Sequence, residues 1–294
     1  MSKGSIPSDQ SASKSSASPP EMARALAIHG RLAIIEDLLP YLEAELLDFQ
    51  NKGYKTSTKT NAFDLVTEAD LHSEKTIMKA IEQYFPKDVI CSEESKAVAQ
   101  ESNAFIWVID PIDGTVNYAN KLHHWGISVG ILHNGIPVGG IVSAPALNLR
   151  YRAVMGEGAT KNGSPIQVNH NKELYQGVVT TGFPYDRAHR AEPLSRALAN
   201  MLKVAGGVRR LGAAAVDFCM VADGSLIGYY EMQLKPWDMA AGLVIAKEAG
   251  AQITDFYNQA VDPFKSHGVV VANPEIHRKL LPMTAPMLEA IAAY

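Results

Sequence analysis

The sequence predicts a layered α/β fold. Short apolar runs of strand length follow one another through the middle of the chain, and strands then alternate with helix-length apolar patterns. No internal repeat interrupts this order, and 294 residues suffice for one large domain or two lobes with a substantial core. A hydrophobic content of 47% against 20% charged residues places the chain among ordinary soluble globular proteins.

Ser2 to Pro20 is rich in Ser, Ala, Pro and Lys and reads as a disordered tail. It has no apolar h-region, so a standard secretory signal is excluded, and no later run has the length and freedom from charge to span a membrane. Glu21 to Gln50 carries Leu26, Leu32, Ile35, Leu38, Leu39, Leu42 and Leu46 at helical spacing. That is one long helix bent near Pro40, or two shorter ones. Leu71 to Tyr84 predicts a helix, and Asp88 to Cys91 and Phe105 to Ile109 predict short strands, the second broken by Pro111. Gly126 to Val142, with Gly135-Ile136-Pro137 at its middle, reads as a β-hairpin. Leu149 to Val154 and Ala159 to Gly163 continue a strand-and-turn pattern. Val178 to Thr181 and Leu226 to Glu231 are strands, and Pro193 to Ala205 and Gly212 to Ala222 are helices. Met239 to Ala249 is a helix closed by Gly250, followed by late strands at Gln252 to Thr254 and Val269 to Ala272.

The most informative stretch runs from Trp107 to Asn117, with Asp110 and Asp113 at a sharp turn made by Pro111 and Gly114. Two carboxylates held close at a strand end call for a cation. Gly114-Thr115 then offers backbone N–H groups and a hydroxyl where a helix starts, a place for an anion. Alone, such a turn is also explained as a solvated acidic turn with an Asx-type hydrogen bond. Three further acidic clusters stand in similar settings: Asp64 to Asp70 before a helix, Glu93-Glu94 after a strand, and Asp238 at the start of a helix. An Asp at a helix start has its own explanation as a cap, and so do Asp70 and Thr115. Acids at the ends of several elements are nevertheless what an oxygen-ligand site for several hard cations requires.

These motifs identify the chain as similar to the inositol monophosphatase family of magnesium-dependent, lithium-sensitive phosphatases. Asp64-Leu65-Val66-Thr67-Glu68-Ala69-Asp70, Asp110-Pro111-Ile112-Asp113-Gly114-Thr115 and Trp237-Asp238-Met239-Ala240-Ala241-Gly242 carry the resemblance, in the family's order, over about residues 22 to 280. One departure is Ser92, where the family usually has Gly before Glu93-Glu94. The resemblance implies an αβαβα sandwich of the inositol monophosphatase and fructose-1,6-bisphosphatase type. It would occupy 21–294 behind the 1–20 tail, with lobes of about 21–155 and 156–294. It implies two Mg2+ ions and allows a third. The first would be held by Glu93, Asp110 and the Ile112 carbonyl, and the second by Asp110, Asp113 and Asp238. A third, weaker ion would sit near Glu93. Asp70 and Thr115 would activate water, and Asp113, Gly114, Thr115, Ala214, Glu231 and Lys59 would contact the substrate. The implied activity is hydrolysis of myo-inositol phosphates in the cytoplasm by a homodimer.

The same metal acids would serve a phosphatase acting on fructose 1,6-bisphosphate, a phosphoadenosine nucleotide, NADP or histidinol phosphate. A regulatory RNA- or protein-binding member of the family is a further alternative. A net charge of −4 gives no electrostatic footprint for nucleic acid. Cys91 and Cys219 are too few for a disulfide framework and read as reduced thiols. His123 and His124 are adjacent and so poorly placed to share one metal. Gly182 to Arg190 reads as a polar loop that either is solvated or borders a substrate mouth, with Arg187 or Arg190 near a second anion. Arg209-Arg210 reads as structural or as part of a subunit contact.

Overall fold

The computed structural model describes residues 19–53, 55–58, 65–95 and 104–292. Residues 1–18 of the expected tail, together with Lys59 and Asp64, lie outside the described residues. The described elements are, in order, α1 (Pro19–Lys52), β1 (Thr56–Thr58), β2 (Leu65–Thr67), α2 (Glu68–Tyr84), β3 (Val89–Ser92), β4 (Phe105–Asp113) and α3 (Thr115–Ala119). There follow β5 (Gly126–His133), β6 (Ile136–Ala144), β7 (Leu149–Val154), β8 (Ala159–Lys161), β9 (Ser164–Ile166), β10 (Val178–Thr181), α4 (Ala191–Leu202), β11 (Gly207–Arg209) and α5 (Ala214–Ala222). The chain closes with β12 (Gly228–Met232), α6 (Pro236–Glu248), β13 (Gln252–Thr254), β14 (Gly268–Ala272), α7 (Pro274–Met283) and α8 (Pro286–Ala292).

Two main sheets and three helical layers alternate. A seven-stranded sheet runs β3-β4-β5-β6-β7-β8-β9, and a five-stranded sheet runs β11-β10-β12-β14-β13. Helices α1 and α2 cover the outer face of the larger sheet, α5 and α6 lie between the sheets, and α4, α7 and α8 cover the smaller sheet. This is the αβαβα order that the family resemblance implied. The change of sheet falls between Ile166 and Val178, later than a lobe boundary near 155, because β8 and β9 continue the larger sheet by antiparallel pairing.

Helix α1 is unbroken, with Pro40 inside it. Ile28, Leu32, Ile35, Leu39, Leu42 and Leu46 form its buried stripe, at alternating steps of four and three residues. That packing holds the helix together through a proline that costs it one backbone hydrogen bond. Leu26, expected on this stripe, is instead exposed, and Ile28 takes its place. Helix α6 is buried on every side from Met239 to Ala246, as a middle layer requires. Its approach to the larger sheet depends on Gly130 and Gly140. A Cβ on Gly130 would stand 2.6 Å from the Ala240 Cβ, and one on Gly140 would stand 2.8 Å from the Ala241 Cα. The 126–142 hairpin forms as expected, with Asn134 and Gly135 both at positive φ in its turn.

Some expected boundaries move. Strand β4 does not stop at Ile109; it runs through Pro111 to Asp113, because a register shift between Asp110 and Asp113 accommodates the proline. Helix α5 begins at Ala214 rather than Gly212, since Gly212 has φ +91° and Ala213 is extended. Asp70 and Asp238 are not N-caps. Each is the third residue of its helix, and Thr67 and Lys235 occupy the cap positions.

Candidate active site

The parallel pairing of β3 with β4 brings two acidic motifs to one sheet end. Ser92 is in register with Ile109, and the Glu93 N–H donates to the Ile109 carbonyl at 3.2 Å. Glu93 therefore stands beside Asp110, with which it shares a hydrogen bond. The irregularity in β4 re-aims the next residues. The Ile112 N–H donates to Asp110 Oδ1 at 3.1 Å, and Ser73 Oγ of α2 donates to the Pro111 carbonyl at 2.9 Å. Gly114 then turns the chain with φ +84° and ψ +41°, and α3 starts at Thr115. Only glycine takes that conformation without strain, and space forbids a side chain there as well. A Cβ would lie 3.0 Å from both the Ala213 Cβ and the Gly212 carbonyl oxygen.

Thr115 and Asp70 meet although 45 residues separate them. Thr115 Oγ1 has two acceptors at 3.1 Å, Asp70 Oδ1 and the Ile112 carbonyl. The other Asp70 oxygen accepts from the Thr67 N–H at 2.8 Å and from the Thr67 hydroxyl at 2.5 Å, which completes a capping box at the start of α2. Burial pushes the Asp70 carboxyl up to about 6, against those hydrogen bonds.

Asp113, at the end of β4, and Asp238, on α6 of the middle helical layer, reach the same place. Asp113 accepts the first N–H groups of α5: Ala214 at 2.9 Å, Ala215 at 2.8 Å and Val216 at 3.2 Å. Ala214, whose backbone is implied as a substrate contact, lines the cavity, and its N–H donates to Asp113. Asp238 Oδ2 accepts from the Lys235 N–H at 2.6 Å.

Glu93, Asp110, Asp113, Thr115 and Asp238 line one cavity of about 630 Å3, together with Ile112, Gly114, Ala214 and Glu231, while Asp70 lies behind Thr115 and is not among the lining residues. Asp110 and Asp113 are almost completely buried. Burial first, then the charges of Glu93, Asp113 and Asp238, push Asp110 well above the usual carboxylate range. Burial first, then Asp238, does the same to Asp113 despite its hydrogen bonds to α5. Among the described residues no three such groups are drawn together into a ready cage for an ion. Like charges keep apart, and Asp113 and Asp238 each have backbone donors. The donor set still fits hard divalent cations: it is all oxygen, mutually repelling and open to a cavity.

The sequence profile of the inositol monophosphatase family matches residues 26–291. The chain belongs to the inositol monophosphatase family. It is 38% identical over 237 residues to an inositol-1-monophosphatase of Synechocystis sp., covering 81% of this chain and 82% of that protein. It is 37% identical over 243 residues to the Nus factor SuhB of Pasteurella multocida, covering 81% and 90%. The IMPase of Thermotoga maritima has the same fold, with a TM-score of 0.80 and 32% identity over 89% of this chain and 99% of that one.

The other end of this inositol monophosphatase-family cavity holds Glu231, on β12. Tyr229 OH donates to Glu231 Oε2 at 2.7 Å, and burial pushes the Glu231 carboxyl up to about 8. Its carboxylate sits against Gly182, where a Cβ would collide with it at 2.0 Å. Phe183 to Asp186 border the cavity, which decides between the two expectations for that loop. Arg187 and Arg190 are not among the lining residues; Arg190 is buried against Asp186 and the Ala290 carbonyl. Arg210, Lys235, Gln233 and Trp237 also line the cavity and carry no family motif of their own, apart from Trp237. His123 is exposed, and His124 pairs with buried Asp217.

Carboxylates raised by burial make a signed statement about stability. Groups whose folded pKa exceeds the unfolded value stabilise the fold below the unfolded pKa, near 4, and lose that contribution as pH rises through the folded value. For Asp70 and Glu231 those values are about 6 and about 8. The metal-free protein is therefore expected to lose stability across that window. Mg2+ should restore it where Asp110 and Asp113 are ionised. At a hundredfold excess over its dissociation constant the gain is about 2.7 kcal/mol, or roughly 5–10 °C in Tm. Thermal melts with Mg2+ or with chelator check this. The increment should be larger near pH 8 than near pH 5.5, and an increment independent of pH would contradict it.

Proposed function

We propose that this chain is a Mg2+-dependent phosphomonoesterase that hydrolyses myo-inositol monophosphate to inositol and phosphate. The observation that carries the reading is the Thr115 hydroxyl, 3.1 Å from Asp70, at a cavity shared by Glu93, Asp110, Asp113 and Asp238. The relative named inositol-1-monophosphatase supports the substrate.

Glu93, Asp110, Asp113, Asp238 and the Ile112 carbonyl would hold two Mg2+ ions, with Asp110 shared and room for a weaker third near Glu93. When bound, Mg2+ supplies the positive charge that makes water a nucleophile near neutral pH and stabilises the departing oxygen. Thr115 orients the attacking water by accepting a hydrogen bond from it, while its own proton points to Asp70. Asp70, ionised above about pH 6, takes the Thr115 proton as that hydroxyl accepts the one that the water loses. The N–H groups of Gly114 and Thr115 hold the phosphate oxygens. Glu231 accepts hydrogen bonds from ring hydroxyls, with Tyr229 fixing its second oxygen. Lys59 is proposed to contact the substrate. Cytoplasmic location and a homodimer are part of the same proposal. Among the described residues no helix is long and apolar enough to cross a membrane.

Phosphate release from a panel of esters tests the substrate: inositol monophosphate, fructose 1,6-bisphosphate, a phosphoadenosine nucleotide, NADP and histidinol phosphate. Inositol monophosphate should give the highest kcat/KM.

A second reading has one observation in its favour, the similarity to a Nus factor. A regulatory role would not need the cavity acids. Complementation by Asp110→Asn in the source cell, with the family gene deleted, separates the two.

A further inference from the structure

The loop between α3 and β5 carries a buried polar pair that the proposed chemistry does not use. His124 Nε2 lies 2.8 Å from Asp217 Oδ1, with side-chain exposures of 14% and 1%. Asp217 is in the first half of α5, and its second oxygen accepts from Thr180 Oγ1 of β10 at 3.3 Å. A buried carboxylate needs such partners, and this one also feels the charge of Arg210.

His124 is held at both ends. Its carbonyl accepts from Asn117 Nδ2 at 2.6 Å, and the same amide donates to the Leu211 carbonyl at 2.8 Å. Asn117 belongs to α3, one turn after Gly114-Thr115, and Leu211 leads into α5. The His124 carbonyl also lies 3.2 Å from where a Gly114 Cβ would stand. The ring therefore ties the loop to α5, and the backbone of the same residue ties the loop to the Gly114 turn. Asn117 Nδ2, through the Leu211 carbonyl, and Asp113, through the first N–H groups of α5, also join these parts.

We propose that the His124–Asp217 pair positions the phosphate-holding turn, by clamping Gly114–Asn117 to the start of α5. His124 is a positioning residue: it acts through Asn117 and α5 and touches neither phosphate nor water. This rests on the reading of Gly114 and Thr115 as the phosphate holders. Losing the clamp leaves the turn free to shift against Ala213, so affinity for phosphate falls. Glu93, Asp110 and Asp238, anchored by β3, β4 and α6, stay in place, and Asp113 keeps its own N–H donors at the start of α5.

The test is calorimetric binding of inorganic phosphate to the whole protein with saturating Mg2+, which requires no turnover. His124→Phe keeps the volume but loses the donor, and should weaken phosphate about tenfold. His124→Gln places an N–H near the position of Nε2 and should bind within about twofold of wild type. Mg2+ affinity should be unchanged in both. If the Phe chain does not fold, His124→Phe with Asp217→Asn removes the unpaired charge and carries the same expectation. Equal phosphate affinity in wild type and the Phe chain, or equal losses in the Phe and Gln chains, overturns the clamp. A wild type that does not bind phosphate at all contradicts the underlying phosphatase reading instead.

Discussion

Asp110→Asn is expected to abolish turnover while leaving the fold intact. Asp110 is the carboxylate proposed to serve both cations, and it is buried among Glu93, Asp113 and Asp238. An amide has nearly the same shape but cannot neutralise divalent charge. In the metal-free protein burial already drives Asp110 toward its neutral form. Asparagine imitates that neutral acid, so the melting temperature in chelator should not fall. Steady-state phosphate release in Mg2+, with circular dichroism and a thermal melt, measures both halves. Activity near the wild-type level would remove Asp110 from the site. A large loss of stability would make its role structural.

Thr115→Ala separates water activation from metal binding. The threonine hydroxyl donates to Asp70, and neither residue is a proposed principal cation ligand. Removing the hydroxyl should lower kcat by about 10²–10⁴-fold, the usual size of general acid–base assistance. KM and Mg2+ affinity should change far less, because an interaction made mainly in the transition state shows in kcat. Asp70→Asn should behave similarly, and the double variant should be little worse than either single one. Losses that multiply, or a collapse of Mg2+ affinity in Thr115→Ala, would make Thr115 a structural cap of the turn.

Much of this was legible in the chain because it is local. The 126–142 hairpin with Gly135 at its turn and the i, i+3, i+4 stripe of α1 are each written within a few residues. The acidic motifs were readable too, through their fixed spacing and family resemblance. What escaped depended on distant pairing. Pro111 looked like a strand breaker, yet β5 carries β4 past it by slipping register. The bond from the Ala214 N–H to Asp113, 101 residues earlier, left no local mark. Arg210 and Lys235 reach the cavity because the smaller sheet and α6 bring their loops there, and no local pattern marks that. The cap positions of Thr67 and Lys235 were missed because each lies three residues before an Asp, itself a good cap. The three-residue strands β1 and β11 and the short helix α8 have too few periodic residues to stand out, whereas α7 carried a readable signal in Asn273-Pro274 at its start and Ile276 and Leu280 on one face.

The central claim is that Glu93, Asp110, Asp113 and Asp238 make a cation-dependent centre for cleaving a phosphate monoester. Its most direct test is phosphate release from myo-inositol 1-phosphate by the purified full-length chain, first with Mg2+, then with excess chelator, then with Mg2+ restored. The account predicts activity that disappears with chelator and returns with Mg2+, and that is absent throughout in Asp110→Asn. Hydrolysis that persists in chelator, or that Asp110→Asn retains, would contradict it.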